Sequence, residues 1–493
     1  MRFLLPTGAI TEPIVASIAV QFDADVIITG KIASFLRPKQ LAGILERMKQ
    51  NEDETSSSPY DCIFISGMCT ASFEEVEAQF GIPIYRGPLH AADLAMILSY
   101  ADAGFPFSRT IPADQLLTLE KEKEAYHTLS RLETEAQPQC YLRDLAIGGG
   151  SRIKVLAEIM DAHQVPDLKA VITSYVSSGA DIIDLGFGFD AKLDDVYTVL
   201  SQVKPLLHEI RETTPIACAI DTQDPDLITA ALSCSCIDLV LSLHEENMHC
   251  APLLRAHGVG AIIVPGEAGL EENMKSAQDL GIICIADPVL QPIGSGLLSS
   301  VVQIHTTHTN HPTWPLFFGA GNVIELIDAD SIGAAAVLAG MAYEAGAGII
   351  FISEHSDKTK GAISEMRRAT EMMALLGTKP YPKDLGLDLF IIKEKRARRE
   401  PPVRYDEMRT LTPPTDLIYD PKGNMRIGIA DGEIIVERSG VALSGTHWEE
   451  LFRTIEAYGW VSRLDHAAYL GKELYKAELA LRFKRSFEQD GEF

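Results

Sequence analysis

The sequence has few basic residues for its number of acidic ones. It holds 43 Lys and Arg against 69 Asp and Glu, so its formal net charge is −26. Proteins that bind nucleic acid or an anionic membrane surface use a basic face, so this balance argues against both kinds of partner. A local basic pocket for one phosphorylated metabolite stays compatible with it. At 46% hydrophobic and 23% charged residues, the composition is that of an ordinary globular protein.

The sequence also has no long uninterrupted hydrophobic run. Its most apolar stretch, residues 331–353, is broken by Glu344, Gly346 and Gly348. Such a stretch is typical of a helix followed by a buried strand, not of a membrane span. Near the start, the turn at residues 6–8 comes too early for the apolar region of a signal peptide. We therefore expect no membrane span and a cytoplasmic location.

The cysteines lack the spacing of a disulfide framework or a zinc site. Eight are scattered along the chain without a CxxC pair, which is the usage expected in a reducing compartment. Cys234 and Cys236 form the one close pair. They are either small core residues or metal ligands, and the first reading is favoured.

Periodic patterns predict three domains and a linker. Residues 1–112 alternate strands and helices, which predicts a small α/β domain, and residues 113–139 read as a Glu- and Lys-rich linking helix. Residues 140–378 repeat a strand–helix unit, as in a central (β/α)8 TIM barrel. Residues 379–493 combine strands and helices in a C-terminal α+β domain. The sequence further predicts a mobile polar loop at 51–59 and an exposed basic linker at 393–399.

Two local features of the sequence are each compatible with two interpretations. Residues 66–70 (SGMCT) follow a predicted strand and precede a helix, and such a turn can bind an anion through backbone N–H groups. It lacks the glycine spacing of a dinucleotide site and the lysine of a P-loop, so a plain turn is favoured. His466, at the start of the last predicted helix, is either functional or packs locally, and local packing is favoured.

Polar residues, most of them acidic, follow the strands of the predicted barrel. The carboxyl ends of barrel strands are where (β/α)8 enzymes hold their chemistry. A set rich in hydrogen-bond acceptors suits a ligand with an amino-pyrimidine edge, because one carboxylate can accept two parallel hydrogen bonds. The candidate residues are Glu158, Asp161, Asp184, Asp221, Ser242, Asp287, Asn322, His355 and Lys358.

Three of these strand ends resemble motifs of dihydropteroate synthases. Residues 181–186 (DIIDLG) resemble the second-strand pattern (G)ADIIDIGG, and residues 219–222 (AIDT) resemble the third-strand pattern SIDT. Residues 286–288 (ADP), with IGSG further on, are similar to the segment DPGIGFGK. The resemblance implies that the aspartates of the last two motifs, Asp221 and Asp287, bind the pterin ring.

The chain departs from that family at several positions. Ser242 stands where the synthases have an asparagine, and residues 319–322 (GAGN) replace a Ser-Arg-Lys segment. Glu354-His355 stands for the closing Arg-x-His, and residues 158–162 (EIMDA) replace Asn-x-Thr-x-Asp-Ser. The lysine, asparagine and arginine that contact the diphosphate are therefore not carried over.

The resemblance nevertheless implies a role for each candidate residue. Asp221, Asp287 and Asn322 are expected to be catalytic, and these three bind the pterin together with Ser242. His355 and Lys358 are the candidates for phosphate binding. A third group is expected to hold Mg²⁺, which neutralises the leaving diphosphate. Its members are Glu158, Asp161 and Asp184.

Over nearly its whole length, the chain looks more like the long synthase-related proteins of methanogens and of bacteria that use tetrahydromethanopterin than like an ordinary folate-pathway synthase. The Gly-x-Gly-Asn segment at 319–322, the turn at 356–359 and the helix start at 464–474 carry this likeness. It implies condensation of 6-hydroxymethyl-7,8-dihydropterin diphosphate with a phosphorylated arylamine, 4-(β-D-ribofuranosyl)aminobenzene 5′-phosphate. A homodimer is a possible assembly. Two alternatives stay open: a pterin-binding methyltransferase and a non-catalytic pterin-binding assembly protein.

Overall fold

The computed structural model of the protein describes residues 1–50, 60–377, 381–383, 385–392, 405–409 and 418–491. The contacts between residues divide the chain into two compact units, Met1–Val403 and Arg404–Phe493. The predicted mobile loop at 51–59 and the predicted basic linker at 393–399 lie outside the described residues. The predicted boundaries after residues 112, 139 and 378 stay predictions.

The first unit begins with an open sheet of four parallel strands. The strands are β1 (Phe3–Gly8), β2 (Ala24–Gly30), β3 (Cys62–Ile65) and β4 (Ile84–Arg86). Their order across the sheet is β2-β1-β3-β4. Buried apolar runs in β1 and β3 are typical of strands covered on both faces. The helices are α1 (Glu12–Ala19), α2 (Pro38–Gln50), α3 (Glu74–Phe80) and α4 (Leu94–Asp102).

One long helix, α5 (Ala113–Glu135), leads to a short hairpin of β5 (Cys140–Leu142) and β6 (Leu145–Ile147). The apolar side chains of this hairpin join the cluster inside the barrel. The hairpin therefore closes the amino end of the barrel. The sequence analysis did not predict this hairpin, because strands of three residues are too short to show an alternation of apolar and polar side chains.

Eight parallel strands form a closed barrel. They are β7 (Lys154–Ile159), β8 (Ile182–Gly186), β9 (Ala217–Asp221), β10 (Leu239–Leu243), β11 (Gly260–Ile263), β12 (Cys284–Ala286), β13 (Leu316–Phe318) and β14 (Ala347–Ser353). Each strand pairs with the next along the chain, and β14 pairs with β7 to close the ring. This confirms the predicted (β/α)8 barrel.

Helices surround the barrel and bury its outer face. They are α6 (Leu168–Ser177), α7 (Leu193–Arg211), α8 (Pro225–Ser233), α9 (Ala251–His257), α10 (Leu270–Asp279), α11 (Leu297–Asn310), α12 (Gly321–Ile324), α13 (Ser331–Glu344) and α14 (Ala362–Ala374). Alternate strand residues pack outward against them, as Val155 and Ala157 do on either side of the inward-facing Leu156. Among the described helices, none is long and apolar enough to cross a membrane.

The second unit is the α+β fold expected from the sequence, with one strand more than predicted. An antiparallel sheet of β15 (Arg426–Ala430), β16 (Glu433–Arg438) and β17 (Val441–Gly445) packs on α15 (Trp448–Ala457) and α16 (Leu464–Arg482). Strand β17 was not predicted because most of its side chains are exposed, so its sequence lacks the alternation that marks a half-buried strand.

Candidate functional site

The alternation of side chains along the barrel strands decides which acidic residues face the interior. The apolar cluster inside the barrel contains the residue two positions before each of Glu158, Asp184 and Asp221. Side chains two positions apart on a strand point to the same face. The three carboxyl groups therefore lie on top of the apolar interior, at the carboxyl ends of β7, β8 and β9.

These carboxyl groups hold their protons more tightly than usual. Strand pairing sets Glu158 opposite Asp184, and Asp221 lies opposite the residue two positions further along β8. Burial, assisted by the charges of Asp221, Asp161 and Glu325, raises the pKa of Glu158 to about 7. Burial also raises the pKa of Asp221 to about 6. The site is thus arranged to exchange protons near neutral pH.

Asp184 is the most enclosed member of the group. Its side chain is fully buried, and neither carboxyl oxygen has a hydrogen-bond partner within the part of the chain that the structure describes. Burial first, and then the charges of Asp221 and Glu158, raise the pKa of Asp184 well above its usual value. An unpaired buried charge is costly, so the surroundings of Asp184 favour its protonated form.

A cavity of about 630 Å³ opens above β7, β8 and β9, a volume within the range of small-molecule sites. Glu158, Asp161 and Asp221 line it together with the loop that carries Phe187 and Phe189. The ring of Phe189 is fully exposed at its rim. Among the described residues, no Lys or Arg lines this cavity. The cavity offers hydrogen-bond acceptors and aromatic surface, which suits a flat ring that carries N–H donors.

Asp287 follows β12 and stands next to a strained residue. The carboxylate of Asp287 accepts a hydrogen bond from the Val289 N–H at 2.8 Å, while burial raises the pKa of Asp287 to about 7. Val289 has a φ of 67°, a conformation that β-branched residues rarely adopt. In the pattern DPGIGFGK a glycine occupies this position. The surrounding structure therefore holds Val289 in place at an energetic cost.

Ser242 is braced by two residues that the sequence analysis did not select. Its hydroxyl accepts a hydrogen bond from Gln223 Nε2 at 3.4 Å. The side-chain amide of Asn247 donates to the carbonyl oxygens of Gln223 at 3.1 Å and Ser242 at 3.0 Å. Asn247 thus ties the loop after β9 to the loop after β10. No local signal identifies such a residue, because an asparagine in a loop reads as an ordinary turn residue.

The loop after β14 is organised by Glu325, which was also not predicted. The carboxylate of Glu325 accepts hydrogen bonds from Ser356 Oγ at 2.6 Å, Thr359 Oγ1 at 2.7 Å and the N–H of His355 at 3.1 Å. Burial opposes ionisation, but these hydrogen bonds lower the pKa of Glu325 below its usual value. The His355 side chain itself is exposed.

Lys358 and Asn322 make contacts within the protein. The ammonium of Lys358 donates to the carbonyl oxygens of Glu325, at 2.7 Å, and Ile327. A phosphate group would therefore have to compete with both hydrogen bonds. Asn322 is exposed and donates through its amide to the carbonyl oxygen of Leu290 at 3.4 Å. The phosphate-binding roles of His355 and Lys358 and the catalytic role of Asn322 stay predictions.

The predicted residues fall into two groups. Glu158, Asp161 and Asp221 line one cavity, and Asp184 lies against them from below. The others lie at the ends of different strands and do not line that cavity. This second group consists of Ser242, Asp287, Asn322, His355 and Lys358.

The predicted metal ligands do not form a protein-only metal site. Among the described residues, no three His, Cys, Asp or Glu side chains come together as a group that could hold a metal ion. Glu158, Asp161 and Asp184 therefore do not make a cage for a cation. Cys234 and Cys236 also belong to no such group, and both pack with the barrel core.

The C-terminal unit holds a second polar cluster, around Asp420. This buried carboxylate accepts hydrogen bonds from the N–H groups of Ser462 at 2.8 Å and Arg463 at 3.0 Å, just before α16. His466 Nδ1 lies 3.1 Å from the same carboxylate. Although burial opposes it, hydrogen bonds from the hydroxyl and the N–H of Ser462, the N–H of Lys422 and the side chain of His466 hold the pKa of Asp420 far below its usual value. Asp420 thus stabilises the start of α16, and His466 is packed locally against it.

Comparison with protein families matches two stretches of the chain. Residues 158–280 match the family model described as "Pterin binding enzyme". The barrel is similar to pterin-binding enzymes. The matched stretch begins at Glu158 and contains Asp184, Asp221 and Ser242, so it includes the acidic site. Residues 419–490 match the model described as PterinBD-DUF4346, which spans most of the C-terminal unit.

Among known proteins, an uncharacterized protein from Methanocaldococcus jannaschii is 28% identical over 99% of this chain and 98% of its own length. Among solved structures, the dihydropteroate synthase of Thermus thermophilus in complex with 4-aminobenzoate is 18% identical. The structural match covers 47% of this chain and 97% of the synthase chain, with a TM-score of 0.37. The 7,8-dihydropteroate synthase of Vibrio fischeri is 16% identical, covering 47% and 96%, with a TM-score of 0.36.

Proposed function

We propose that the protein is a dihydropteroate synthase-like transferase of tetrahydromethanopterin biosynthesis. In this proposal it condenses 6-hydroxymethyl-7,8-dihydropterin diphosphate with 4-(β-D-ribofuranosyl)aminobenzene 5′-phosphate and releases diphosphate. The observation that carries the proposal is the layer of protonatable carboxyl groups at Glu158, Asp184 and Asp221. Asp184 and Asp221 lie in strands that resemble the synthase motifs, and all three residues lie in the stretch that matches the pterin-binding family model. A cytoplasmic location and a homodimer stay predictions of the sequence.

Asp221 is the residue proposed to hold the pterin. Its carboxylate lines the cavity beside Glu158 and, once ionised, accepts two parallel hydrogen bonds from the ring N–H and amino groups. Asp184 lies underneath, and because burial favours its protonated form, Asp221 is the member of this pair that ionises more readily. Asp287 is proposed as the second pterin aspartate, on the opposite side of the barrel mouth.

In the proposed condensation, the bond between the pterin methylene carbon and the diphosphate oxygen breaks, and its electron pair leaves with the diphosphate. The amine nitrogen donates its lone pair to the same carbon and then loses a proton. Glu158 is the proposed acceptor of that proton, because a pKa of about 7 matches proton transfer at neutral pH. Positioning and exclusion of water supply the rest of the catalysis.

The described residues near the site offer few positively charged groups to bind the leaving diphosphate. Lys358 is engaged with two carbonyl oxygens, and the described lining of the cavity has no cation. Mg²⁺ would then act as a counter-ion bound through phosphate oxygens, with few protein ligands. The same observation favours the second candidate, a pterin-binding methyltransferase, because methyl transfer from a pterin needs no diphosphate cradle. A pterin-binding assembly protein without catalysis is the third candidate.

The test is calorimetric titration of the full chain with 6-hydroxymethyl-7,8-dihydropterin diphosphate, with and without Mg²⁺. Wild type is compared with Asp221→Ala and with the matched control Asp226→Ala, which removes an exposed aspartate on α8. The same samples are assayed for diphosphate release after the arylamine phosphate is added.

The synthase proposal expects tight Mg²⁺-dependent binding and diphosphate release, both lost in Asp221→Ala and kept in Asp226→Ala. Binding of the pterin without release, or equal affinity for the pterin and its diphosphate, would contradict the synthase. Turnover with a methylated reduced pterin would then favour methyl transfer. A stable pterin complex without any turnover would favour the assembly role.

A further inference from the structure

The open sheet at the start of the chain has a point where its connections reverse direction. From β1 the chain moves outward to β2, and from β3 it moves the other way to β4, so β1 and β3 are neighbours in the middle. The loops after β1 and β3 therefore diverge and leave a crevice at the carboxyl ends of these strands. In open parallel sheets, ligands bind at this position.

A cavity of about 290 Å³ occupies this crevice. It is bounded by the end of β1, the start of α1, the end of β3 and the loop after β4. Apolar side chains supply most of its surface, among them Ile14, Phe64 and Leu94, and hydroxyl groups and the imidazole of His90 supply the polar part. This is the usual composition of a small-molecule pocket, with an apolar body and a few polar groups that orient the ligand.

Close backbone contacts hold the walls of the crevice. A Cβ on Gly67 would lie 2.5 Å from the carbonyl oxygen of Gly87, and one on Gly8 would lie 2.6 Å from the nitrogen of Ala33. Only glycine permits these approaches. Since Gly67 follows Ser66 directly, the turn at 66–70 is a wall of this crevice. The crevice is therefore fixed by the backbone rather than left by loosely packed loops.

The polar side chains of the crevice are the hydroxyls of Thr7, Thr11, Ser34 and Ser66 and the imidazole of His90. Thr7 Oγ1 and Thr11 Oγ1 share a hydrogen bond of 2.8 Å, and Ser66 Oγ accepts the N–H of Met68 at 3.3 Å. Because a hydroxyl both donates and accepts, Ser66 keeps its proton for a ligand. Among the described residues, no Asp, Glu, Lys or Arg lines the crevice. His90 is the one side chain of this described lining that can carry a positive charge, and in a chain of net charge −26 the crevice attracts an anionic ligand only weakly.

The mouth of the crevice exposes apolar side chains. Met68 and Ile32 both line it, yet they are 61% and 43% exposed. Exposed apolar side chains at the mouth of a pocket are available to contact a ligand, and a methionine sulfur makes favourable contacts with aromatic rings. A crevice of this volume between two diverging loops has room for a flat molecule of one or two rings.

We propose that this crevice is a second ligand site, which binds an uncharged aromatic or heteroaromatic molecule of one or two fused rings. The ring lies between the end of β1 and Met68, and its polar atoms meet the hydroxyls of Ser66 and Thr11. This site is separate from the acidic cavity of the barrel and does not depend on the reaction proposed there.

The test uses the full chain with ¹³C-labelled methionine and isoleucine methyl groups, titrated with adenosine, indole and quinoline. The Met68 methyl signal is identified by its loss in Met68→Leu. AMP serves as the charged counterpart of adenosine. Ala92→Trp fills the crevice from an exposed position in its lining, and Ala103→Trp places the same ring on an exposed position outside it.

We expect at least one neutral probe to shift the Met68 methyl signal saturably. AMP should bind about tenfold more weakly than adenosine, and Ala92→Trp should weaken binding about tenfold while Ala103→Trp does not. If Ala92→Trp fails to fold, Ser34→Trp on another wall gives the same comparison. The proposal is overturned if no neutral probe shifts the Met68 signal at millimolar concentration. It is also overturned if AMP binds as tightly as adenosine, which would indicate an anion site.

Discussion

Asp181 directly precedes strand β8, and Asp184 lies within it, three residues further on. The two carboxyl groups have opposite electrostatic surroundings. Asp181, at the amino end, accepts hydrogen bonds from Arg152 at 2.6 Å and Arg367 at 3.0 Å. Burial alone would raise its pKa, but these guanidinium groups hold the pKa of Asp181 below its usual value. Asp184, at the carboxyl end, has no partner among the described residues, and its pKa is raised.

The difference extends to other groups at the two ends of the barrel. At the amino end, Lys154 is buried against Glu133 at 2.9 Å, and Arg211 pairs with Asp238. At the carboxyl end, Glu158 also has a raised pKa. The charges at the amino end are paired, whereas these carboxyl groups at the carboxyl end are not. This division is expected in a barrel whose amino end maintains the fold and whose carboxyl end performs the chemistry.

The largest expected effect comes from breaking the amino end. Asp181→Asn removes the charge that balances Arg152 and Arg367, and uncompensated buried charges destabilise a protein by about 3–5 kcal/mol. Urea unfolding should show a loss of this size at pH 7. Asp184→Asn is the matched control and should change stability far less, because burial favours the neutral form of the side chain it replaces. Equal losses in the two variants would remove the contrast between the two ends.

A smaller effect is expected at Glu325, the carboxylate at the carboxyl end that is fully paired. Glu325→Gln weakens charge-assisted hydrogen bonds to Ser356 and Thr359, and we expect a loss of about 1–2 kcal/mol. Hydrogen exchange should also quicken in the loop after β14. The exposed Glu344→Gln on α13 is the control. No change in exchange would mean that Glu325 does not organise that loop.

The unpaired carboxyls should also affect the pH dependence of stability. The pKa of Glu158 is raised from 4.5 to about 7, so between these values the folded protein holds a proton that the unfolded chain has released. The stability that Glu158 contributes is therefore present below about pH 4.5 and is lost as the pH rises through about 7. Glu158→Gln cannot lose that proton, so its stability relative to wild type should increase from pH 5 to pH 8.

Thermal unfolding of wild type and Glu158→Gln from pH 5 to pH 8 measures this difference in stability.

The pH dependence of Asp181→Asn should have the opposite sign. The pKa of Asp181 is below its usual 3.8, so this carboxylate loses its stabilising effect only on acidification below that value. The deficit of Asp181→Asn should therefore stay constant from pH 8 to pH 5 and shrink only below about pH 4. If the two variants show the same pH trend, the two ends do not differ in the way described.

The smallest expected effect is at Val289. Val289→Gly relieves a left-handed backbone conformation, but it adds conformational freedom to the unfolded chain. We expect a net gain of stability of about 1 kcal/mol or less, measured by urea unfolding. Val301→Gly, in the interior of α11, is the control and should be destabilising. A loss at Val289 would mean that its side chain contributes packing that outweighs the strain.

Much of the fold could be predicted from local patterns. Apolar strands separated by helical stretches predict a barrel because parallel strands are buried on both faces, and the barrel is confirmed. The same patterns place Glu158, Asp184 and Asp221 at strand ends, and the closed barrel brings them together. The hairpin of β5 and β6 was missed because its strands are too short for periodicity.

The sequence by itself determined the order of strands and helices and the acidic character of the strand ends, because both follow from short-range patterns of side chains. Only the tertiary structure decided which charges are paired. Asp181 meets an arginine from 186 positions along the chain, Lys358 meets carbonyl oxygens beyond α12, and Asp184 meets no partner among the described residues. Such contacts depend on distances across the folded barrel, which no local pattern encodes.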